Sequence, residues 1–534
     1  MSKSIRRRDF LGGAGIALVS LPVWAAGCAS RSQLIARPGV GVPPRAPSPP
    51  RGPLPPVAPP VAAAPGYFER FGVDQGLLTR TIDRGLGRSG DFCEVFLQHK
   101  VSHWVGLEDG EVNRAYTTVA LGAGVRVLKG DATGFAYTED LSEASLAAAA
   151  TTAAAVADGP ASSRRGPLTA VAVANAYPVA VPWSAIGIDQ KLPIIQQTEK
   201  LARARDSRVV KTTIFLVDET SRILVASSEG LLVEDDQPMA ELNVSCVAEH
   251  KGKTETSGQS ASSRDGIGFF SPERIQGVAH EAVDFTTMLF DAGAPPVGEL
   301  PVVLAPGITG ILLHEAIGHG MEADFNRKGI SIYANRIGQR IAPPEVTIVD
   351  DGTNPRMRGS INIDDEGTPA QRTVLVENGI LRSYLHDRIS ALHYKLASTG
   401  SGRRESYKFP VVPRMRNTYM LNGPRKPGEI IASVKKGLYA EKFWNGQVNI
   451  GAGDFTFYLK HGRLIDNGKL GPVVKDANLI GSGPKVLERI DMVADDLGFF
   501  SGAGYCGKDG QRVPVGFGLP TVRAGGISIG GRKA

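Results

Sequence analysis

Cysteine, histidine and tryptophan are scarce in this 534-residue chain, which contains four, nine and four of them respectively. Four cysteines can form at most two disulfides, so stability must come mainly from buried apolar cores. The composition allows this, because 42% of the residues are hydrophobic and 21% are charged. A chain of this length is expected to form two to four domains, and it contains no internal repeat.

The chain also lacks an excess of positive charge outside its N-terminal segment. The formal net charge is +6 at pH 7. Residues 1–66 contain eight Lys or Arg and a single acid, Asp9, so the rest of the chain carries a net charge of −1. A nucleic-acid-binding protein would present a concentrated basic face, and we therefore expect no nucleic-acid partner.

The apolar stretch near the N-terminus is short for a membrane span, and it predicts export instead. Residues 10–26 carry no charge but include Pro22. The sequence Arg6-Arg7-Arg8-Asp9-Phe10-Leu11, which leads into this stretch, resembles a twin-arginine signal. We therefore expect export by the twin-arginine route to the periplasm or the cell envelope.

Cys28 is a candidate for lipid modification. The sequence Ala25-Ala26-Gly27-Cys28 resembles a lipobox, although it lacks the usual leucine at the first position. A lipid on Cys28 would anchor the exported protein to a membrane. Two alternatives remain, which are cleavage by ordinary signal peptidase nearby and retention of the segment as a membrane anchor.

Composition and turn signals predict four segments and an overall α+β fold. Residues 1–28 are the signal peptide, and residues 29–66 are a disordered proline-rich linker. Residues 67–295 are predicted to be an N-terminal α+β domain built on a sheet. Residues 296–534 are predicted to be a mainly β, barrel-like domain that carries a metal-motif helix, because short strand patterns alternate there with glycine-rich turns.

Hydrophobic periodicity, together with an alanine-rich run at residues 141–157, predicts the elements of the domain over residues 67–295. Helices are expected at residues 77–86, 141–157, 194–204 and 272–292. Strands are expected at residues 93–97, 119–128, 209–216 and 222–226. Asp218-Glu219-Thr220-Ser221 is expected to form a hairpin turn between the last two strands.

The most informative feature is the sequence His314-Glu315-Ala316-Ile317-Gly318-His319. Two neutral imidazoles can bind Zn²⁺, and the carboxylate beside the first can take a proton from the metal's water, as in metallopeptidases. The histidines are five residues apart, however, which places them roughly 140° apart on a regular α-helix. We predict that Gly318 allows a wider π-type turn, or a helix end, that directs both imidazoles to one ion.

The residues alone leave the third metal ligand open. Cys506 lies in a glycine-rich, turn-forming context in which a thiolate can reach an ion, and Lys508 is close enough in sequence to favour its deprotonation. The alternative for Cys506 is an ordinary buried thiol. Glu322 and Asp324 are the competing ligands, although Glu322 is better placed to orient the His319 imidazole.

The remaining cysteines and two further histidines are predicted to have structural roles. Cys93 and Cys246 lie in apolar, strand-like contexts that favour buried thiols, and a disulfide between them is the alternative. His386 and His393 fall in a helical pattern, for which surface or packing roles are expected.

Several segments resemble the TldD branch of the TldD/PmbA family over about residues 67–534. The likeness includes the whole run from His314 to Gly329. It extends to the following segments: Leu107-Glu-Asp-Gly110, Gly134-Phe-Ala-Tyr-Thr-Glu-Asp-Leu141, Val349-Asp-Asp-Gly-Thr353, Asp364-Asp-Glu-Gly-Thr-Pro369, Gly402-Arg-Arg-Glu-Ser406, Met415-Arg-Asn-Thr-Tyr-Met420, Leu479-Ile-Gly-Ser-Gly483, Cys506-Gly-Lys-Asp-Gly-Gln511 and Val513-Pro-Val-Gly516.

The resemblance implies a zinc-dependent peptidase in which His314, His319 and Cys506 bind the metal. It also implies a catalytic subunit that forms a homodimer, or a heterodimer with a related subunit that lacks the His-Glu motif. Glu315 would act as the general base on the zinc-bound water and return the proton to the leaving amine.

The resemblance further implies unfolded or short peptides as substrates, which we expect to bind as an added β-strand. Arg403, Arg404 and Thr418 are candidates for that groove, with structural hydrogen bonding in loops as the alternative. Two other functions remain open. One is a peptide-binding or assembly subunit with structural zinc and little catalysis, and the other is an envelope-tethered scaffold that docks another protein.

Overall fold

The computed structural model describes residues 66–531 apart from 450 and 452. The predictions for residues 1–65, which include the signal peptide, almost all of the linker and Cys28, lie outside this range. Within it, no helix combines the length and the apolarity needed to cross a membrane.

The first half of the chain builds one seven-stranded sheet. Its strands are β1 (Phe92–Glu108), β2 (Glu111–Lys129), β3 (Ala132–Thr138), β4 (Thr169–Ala170), β5 (Val209–Ser227), β6 (Leu231–His250) and β7 (Lys253–Ser263). The order is β3-β2-β1-β5-β6-β4, and β7 also pairs with β6. Every pairing is antiparallel except that of β4 with β6. Burial alternates along much of β5, as expected for a strand with one packed face.

Four helices cover this sheet in two pairs, α1 (Gln75–Gly85) with α2 (Glu143–Ala154) and α3 (Ile188–Arg205) with α4 (Pro272–Thr287). Each pair closes its own apolar core, the first against β1 and β2 and the second against β5, β6 and β7. Three of the helices begin at a side-chain cap, which Asp74, Ser142 and Ser271 supply to a backbone N–H three residues on.

The second half of the chain is mainly β. Its strands are β8 (Gly298–Leu304), β9 (Ile348–Asp351), β10 (Arg372–Glu377), β11 (Ile380–Leu381), β12 (Gly402–Arg403), β13 (Val412–Pro413), β14 (Asn417–Met420), β15 (Lys436–Val448), β16 (Asp454–Asp466), β17 (Lys469–Ser482), β18 (Ile490–Val493), β19 (Gly498–Phe499), β20 (Tyr505–Lys508), β21 (Gln511–Pro514), β22 (Gly516–Leu519) and β23 (Val522–Gly531). Its α-helices are short: α5 (Ile311–Leu313), α6 (Ala323–Arg327), α7 (Arg388–Tyr394), α8 (Pro427–Ala432) and α9 (Gly483–Glu488).

Five of these strands close into a barrel. They are joined in the order β17-β16-β15-β8-β23, and β17 also pairs with β23, which completes the ring. A separate six-stranded sheet has the order β11-β10-β9-β14-β22-β19, and β20 and β21 form a two-stranded sheet. The predicted α+β class with a barrel-like C-terminal part is therefore confirmed. The division at residues 295 and 296 stays a prediction.

Several predicted elements differ from the structure. β5 is continuous through residues 218–221, so the predicted hairpin there is wrong. Asp218 is fully buried. Its carboxylate pairs with the Lys191 ammonium at 2.6 Å and with His103 Nδ1 at 2.7 Å. A polar residue that usually favours a turn is thus held within a strand by partners distant in sequence.

The extents of three other predicted elements are also corrected. β1 and β2 run well past the predicted residues 93–97 and 119–128, because their extended pairing includes polar residues that the apolar pattern does not reveal. The helix predicted at residues 272–292 ends at Thr287 and continues as a 3₁₀ turn, Met288–Asp291. Further 3₁₀ turns lie at Tyr67–Phe71, Trp183–Ala185, Ile267–Phe269, Ile308–Gly310 and His319–Met321.

Candidate metal centre

The His-Glu motif lies shortly after barrel strand β8. The chain passes through α5 into a π-helical turn, His314–Gly318, which a 3₁₀ turn follows. The predicted π-type turn is therefore confirmed. It places the imidazole rings of His314 and His319 with centroids 5.1 Å apart and planes at 82°. Apolar neighbours, including Leu313 and Ile317, hold the turn in a buried core that includes residues of the barrel and of the six-stranded sheet.

Gly318 is needed for packing rather than for an unusual backbone conformation. Its φ and ψ are −56° and −49°, which any residue can adopt in a helix. A Cβ atom at this position would instead overlap the Met415 sulfur. The prediction that Gly318 supplies backbone freedom is thus replaced by a steric reason for the glycine.

Gly318→Ala is expected to lower the thermal melting temperature, because the added methyl group forces Met415 or the π-helical turn to move. Such overpacking typically costs about 1–3 kcal/mol of stability. The matched control is Gly277→Ala in α4, where a Cβ would meet no atom within 4 Å. That change is expected to leave the melting temperature unchanged or raise it. An equal loss in both variants, measured by circular dichroism, would contradict the packing role.

Cys506 approaches the histidines from the short hairpin of β20 and β21. The hairpin reverses through Asp509 and Gly510, which both have positive φ, so the cysteine itself lies in a strand. The turn-forming context that the sequence predicted around Cys506 is thus a hairpin, with Cys506 on one of its two strands. Its Sγ is 3.4 Å from His319 Nε2. The structure thus brings together two side chains from the motif and one located 187 residues later.

The three side chains have the chemistry and spacing of a metal site. One ligand atom from each of His314, His319 and Cys506 lies within 4.8 Å of the other two. All three side chains are almost fully buried, at 2%, 5% and 1% exposure. Among residues 66–531 as described, none makes a hydrogen bond of normal geometry with either nitrogen of His314, although buried polar atoms are normally paired. Ligand atoms of tetrahedral zinc lie roughly 3.3–3.8 Å apart, so this donor set fits zinc after a small contraction.

The charges of these groups support one another. Burial by itself would raise the pKa of Cys506, but the imidazoles of His314 and His319 hold it well below its ordinary value. Burial would likewise lower the pKa of His319, but Glu322 and the Cys506 thiolate raise it well above its ordinary value. The site therefore favours a thiolate beside positive charge, which a divalent cation would also supply.

Glu315 is close to the donor atoms but is not one of them. Its Oε2 is 3.9 Å from His319 Nε2, and its side chain keeps 18% of its surface exposed. Burial raises the pKa of Glu315, with the two imidazoles acting in the opposite direction. A water molecule can therefore reach the Glu315 carboxylate, as a proton acceptor requires.

The competing carboxylates have other partners. Glu322 Oε2 lies 2.9 Å from His319 Nδ1, which is the orienting contact that the sequence suggested. Asp324 accepts a hydrogen bond from the Lys508 ammonium at 2.8 Å. Lys508 was expected to act on the Cys506 thiol, but its ammonium contacts these two carboxylates instead.

The three predicted groove residues are all buried. Arg403 donates hydrogen bonds to the carbonyl oxygens of Met415 at 2.7 Å and Pro514 at 2.9 Å. Arg404 donates to Glu94 and to the Asp365 carbonyl oxygen, and Thr418 donates to Asp350 at 2.8 Å. These contacts are the structural hydrogen bonding that the sequence left open as the alternative. A groove role for these residues stays a prediction.

Cys93 and Cys246 are free, buried thiols, so the alternative of a disulfide between them is not realised. Burial raises the pKa of both, that of Cys246 to about 12, which makes them poor metal ligands at neutral pH. Neither His386 nor His393 belongs to the donor set. His386 is buried, whereas His393 is exposed on α7.

Sequence reasoning missed Arg414. Its guanidinium is fully buried and donates a hydrogen bond to the backbone carbonyl oxygen of Cys506. No local motif marks this residue, because the contact joins positions 92 residues apart. A weak signal was its place just before the segment Met415–Met420 that resembles the TldD branch.

Comparison with known proteins gives a consistent result along the chain. Residues 93–157, 181–290 and 297–531 match the first, the central and the C-terminal domain of the PmbA/TldA metallopeptidase family. The TldD metalloprotease homologue of Buchnera aphidicola from Acyrthosiphon pisum is 40% identical over 452 residues, which cover 83% of this chain and 93% of that protein. The homologue from Haemophilus influenzae is 39% identical over 457 residues, 83% of this chain and 94% of that protein.

Solved structures show the same fold. The structure of TldE from Thermococcus kodakarensis superposes with a TM-score of 0.68 at 19% identity, covering 85% of this chain and 99% of that one. The sequence matches extend across both halves of the fold, and the C-terminal match contains the whole donor set of His314, His319 and Cys506. The chain therefore belongs to the TldD/PmbA family of metallopeptidases.

Proposed function

We propose that this protein is a zinc-dependent peptidase that hydrolyses unfolded or short peptides. The observation that carries the proposal is the buried set of His314, His319 and Cys506, with the Glu315 carboxylate beside it. Two imidazoles and one thiolate make three of the four positions of a tetrahedral zinc site, which leaves one position open, as in catalytic zinc sites. The TldD homologues named above are metalloproteases, which agrees with this assignment.

The residues around the donor set have separate roles in the proposed reaction. When bound, zinc would polarise the substrate carbonyl and make a water molecule more acidic. Glu315 accepts the proton of the attacking water and passes it to the leaving amine. Glu322 holds His319 by its Nδ1, which leaves Nε2 directed towards Cys506. The thiolate lowers the net charge of the site, so we expect modest turnover.

Metal removal and replacement test the proposal. The purified protein is expected to contain about one zinc per chain and to cleave an unstructured peptide. Treatment with a chelator should abolish cleavage, and added zinc should restore it. Cleavage that persists in metal-free protein would contradict the proposal. Zinc at full occupancy without any cleavage would instead favour the alternative of an assembly subunit with structural zinc.

A partner subunit is also proposed. The chain resembles TldD homologues in sequence and TldE in fold, which supports either a homodimer or a heterodimer with a related subunit that lacks the motif. Light scattering of the purified protein would show whether it forms a homodimer by itself. Peptide cleavage that appears only after a related subunit is added would favour the heterodimer.

We further propose export by the twin-arginine route, on the basis of the Arg6-Arg7-Arg8 sequence, with a lipid at Cys28. The double change Arg7→Lys and Arg8→Lys is expected to retain most of the protein in the cytoplasm, as measured by cell fractionation. Cys28→Ala should leave export intact but release the protein from membranes. Mass spectrometry that finds an unmodified N-terminus far from Cys28 would contradict lipidation alone.

A further inference from the structure

Four buried charged side chains lie beside the metal ligands: Glu322, Asp324, Arg414 and Lys508. Their exposed fractions are 0%, 6%, 0% and 7%. Two are anions and two are cations, so the cluster is neutral as a set. Buried charges are costly unless they are paired and hydrogen-bonded, and these four lie within reach of one another.

Glu322 connects the cluster to the histidine side of the site. One carboxylate oxygen, Oε2, faces His319 Nδ1 at 2.9 Å and the Lys508 ammonium at 3.2 Å. The other oxygen, Oε1, accepts no hydrogen bond from the described part of the chain, and Arg414 Nε is 3.9 Å away. A single oxygen of Glu322 therefore contacts both the His319 imidazole and Lys508, which lies on β20.

Lys508 connects the cluster to the cysteine side. It lies two residues after Cys506 on β20, and alternation along a strand directs both side chains to the same face, as their shared burial shows. Its ammonium donates hydrogen bonds to Asp324 at 2.8 Å and to the Pro413 carbonyl oxygen at 3.0 Å. Glu322 Oε2 is the third polar contact of the ammonium, an ion pair at 3.2 Å.

Arg414 adds a second link between the same elements. Its guanidinium donates to the Cys506 carbonyl oxygen, while its Nε faces Glu322. The strand that carries the thiolate is therefore held at its backbone by Arg414 and two residues later by Lys508. Both cations face the carboxylate that contacts His319.

We propose that Lys508 is a positioning residue for the metal site. It fixes Glu322, and through Glu322 the His319 imidazole, against the strand that carries Cys506. His319, which begins the 3₁₀ turn, and Cys506, which lies in the hairpin, then keep one relative position before a metal binds. This inference rests on the proposed zinc function and adds to it a residue that does not touch the metal or the substrate.

Removing the ammonium distinguishes positioning from simple electrostatics. If Lys508 acted only through its charge, Lys508→Met would leave more negative charge near the site and zinc would bind as tightly as before or more tightly. If Lys508 positions Glu322, zinc should bind more weakly. Losses of supporting contacts around a metal ligand typically weaken metal binding about 10–100-fold, and we expect a change in zinc Kd of this size.

The experiment measures zinc Kd of the full-length protein by competition with a chelator of known affinity. Lys508→Met and Glu322→Gln are expected to raise the zinc Kd by similar factors. The double variant should raise it no further than the larger single effect, because both residues act along one path. Effects that multiply in the double variant, or a zinc Kd in Lys508→Met no higher than that of the parent, would overturn the proposal.

Two controls keep the test decisive. Lys442→Met removes another buried lysine side chain, which contacts Gly258 and the Phe285 ring rather than Glu322, and it should leave the zinc Kd unchanged. If Lys508→Met does not fold, Lys508→Met with Asp324→Asn removes one charge of each sign and should still weaken zinc binding. Parental zinc affinity in this pair would also overturn the proposal.

Cobalt supplies a readout that a general loss of stability would not reproduce. Co²⁺ in place of zinc reports its ligand geometry through its absorption spectrum, and the bands should shift in Lys508→Met but not in Lys442→Met. Unshifted bands in Lys508→Met would count against positioning. A parent protein that binds no zinc would contradict the proposed function itself, whereas parental binding with unaffected variants would contradict only the role of Lys508.

Discussion

Glu315→Gln is expected to lower peptide hydrolysis by at least about a hundredfold while zinc stays bound, because a positioned general base typically contributes 10²–10⁴-fold. The amide has nearly the shape of the carboxylate but cannot accept the proton of the attacking water. The donor atoms of His314, His319 and Cys506 are untouched by the change. The measurement is kcat on an unstructured peptide, together with the zinc content of the same sample.

A control variant tests whether any Glu→Gln change elsewhere in the protein lowers hydrolysis. Glu345→Gln alters an acidic residue outside the metal centre, where the partner is Arg425 at 3.4 Å, and it should leave hydrolysis unchanged. Full activity of zinc-replete Glu315→Gln would show that another group accepts the proton. Loss of zinc from Glu315→Gln would show instead that the carboxylate supports metal binding.

Cys506→Ser is expected to raise the zinc Kd by more than the roughly 10–100-fold typical of a supporting residue. A neutral hydroxyl replaces a thiolate, and two histidines alone make an incomplete site. The same change at Cys93 or Cys246 should leave zinc in place, because both thiols lie in the N-terminal cores away from the donor set. Chelator competition on the three variants measures the difference.

The competing outcome for the third ligand is equally specific. If Cys506→Ser holds zinc as tightly as the parent while Glu322→Gln or Asp324→Asn loses it, the third ligand is a carboxylate. The structure gives both carboxylates other partners, His319 for Glu322 and Lys508 for Asp324. A carboxylate ligand would therefore require at least one of these contacts to break.

The sequence was most informative where the chemistry is local. The spacing of His314 and His319 predicted a π-helical turn, since the geometry of six consecutive residues decides whether their imidazoles converge. Periodicity likewise predicted α1 and α3, because an apolar stripe on a helix is set by neighbours in sequence, and the alanine-rich run at residues 141–157 predicted α2. The barrel-like C-terminal part followed from its repeated strand patterns and glycine-rich turns, although three barrel strands, β15, β16 and β17, are longer than the predicted short strands, at 13, 13 and 14 residues.

The sequence was least informative where distant residues decide the outcome. Asp218 resembles a turn residue until Lys191 and His103 are seen to pair with it inside the sheet. The strand position of Cys506 depends on its pairing with Val513 in a hairpin, which the glycines around it obscured. Contacts of this kind depend on tertiary structure, which no local pattern records.

Barrel closure determines how late in synthesis the donor set can be completed. The ring needs β23 to pair with both β8 and β17, and Cys506 follows His319 by 187 residues. During synthesis, His314 and His319 are therefore added to the chain long before Cys506. A chain that ends before residue 506 has two of the three donor side chains and cannot close the barrel. Maturation of the donor set is thus a late event, tied to synthesis of the final strands.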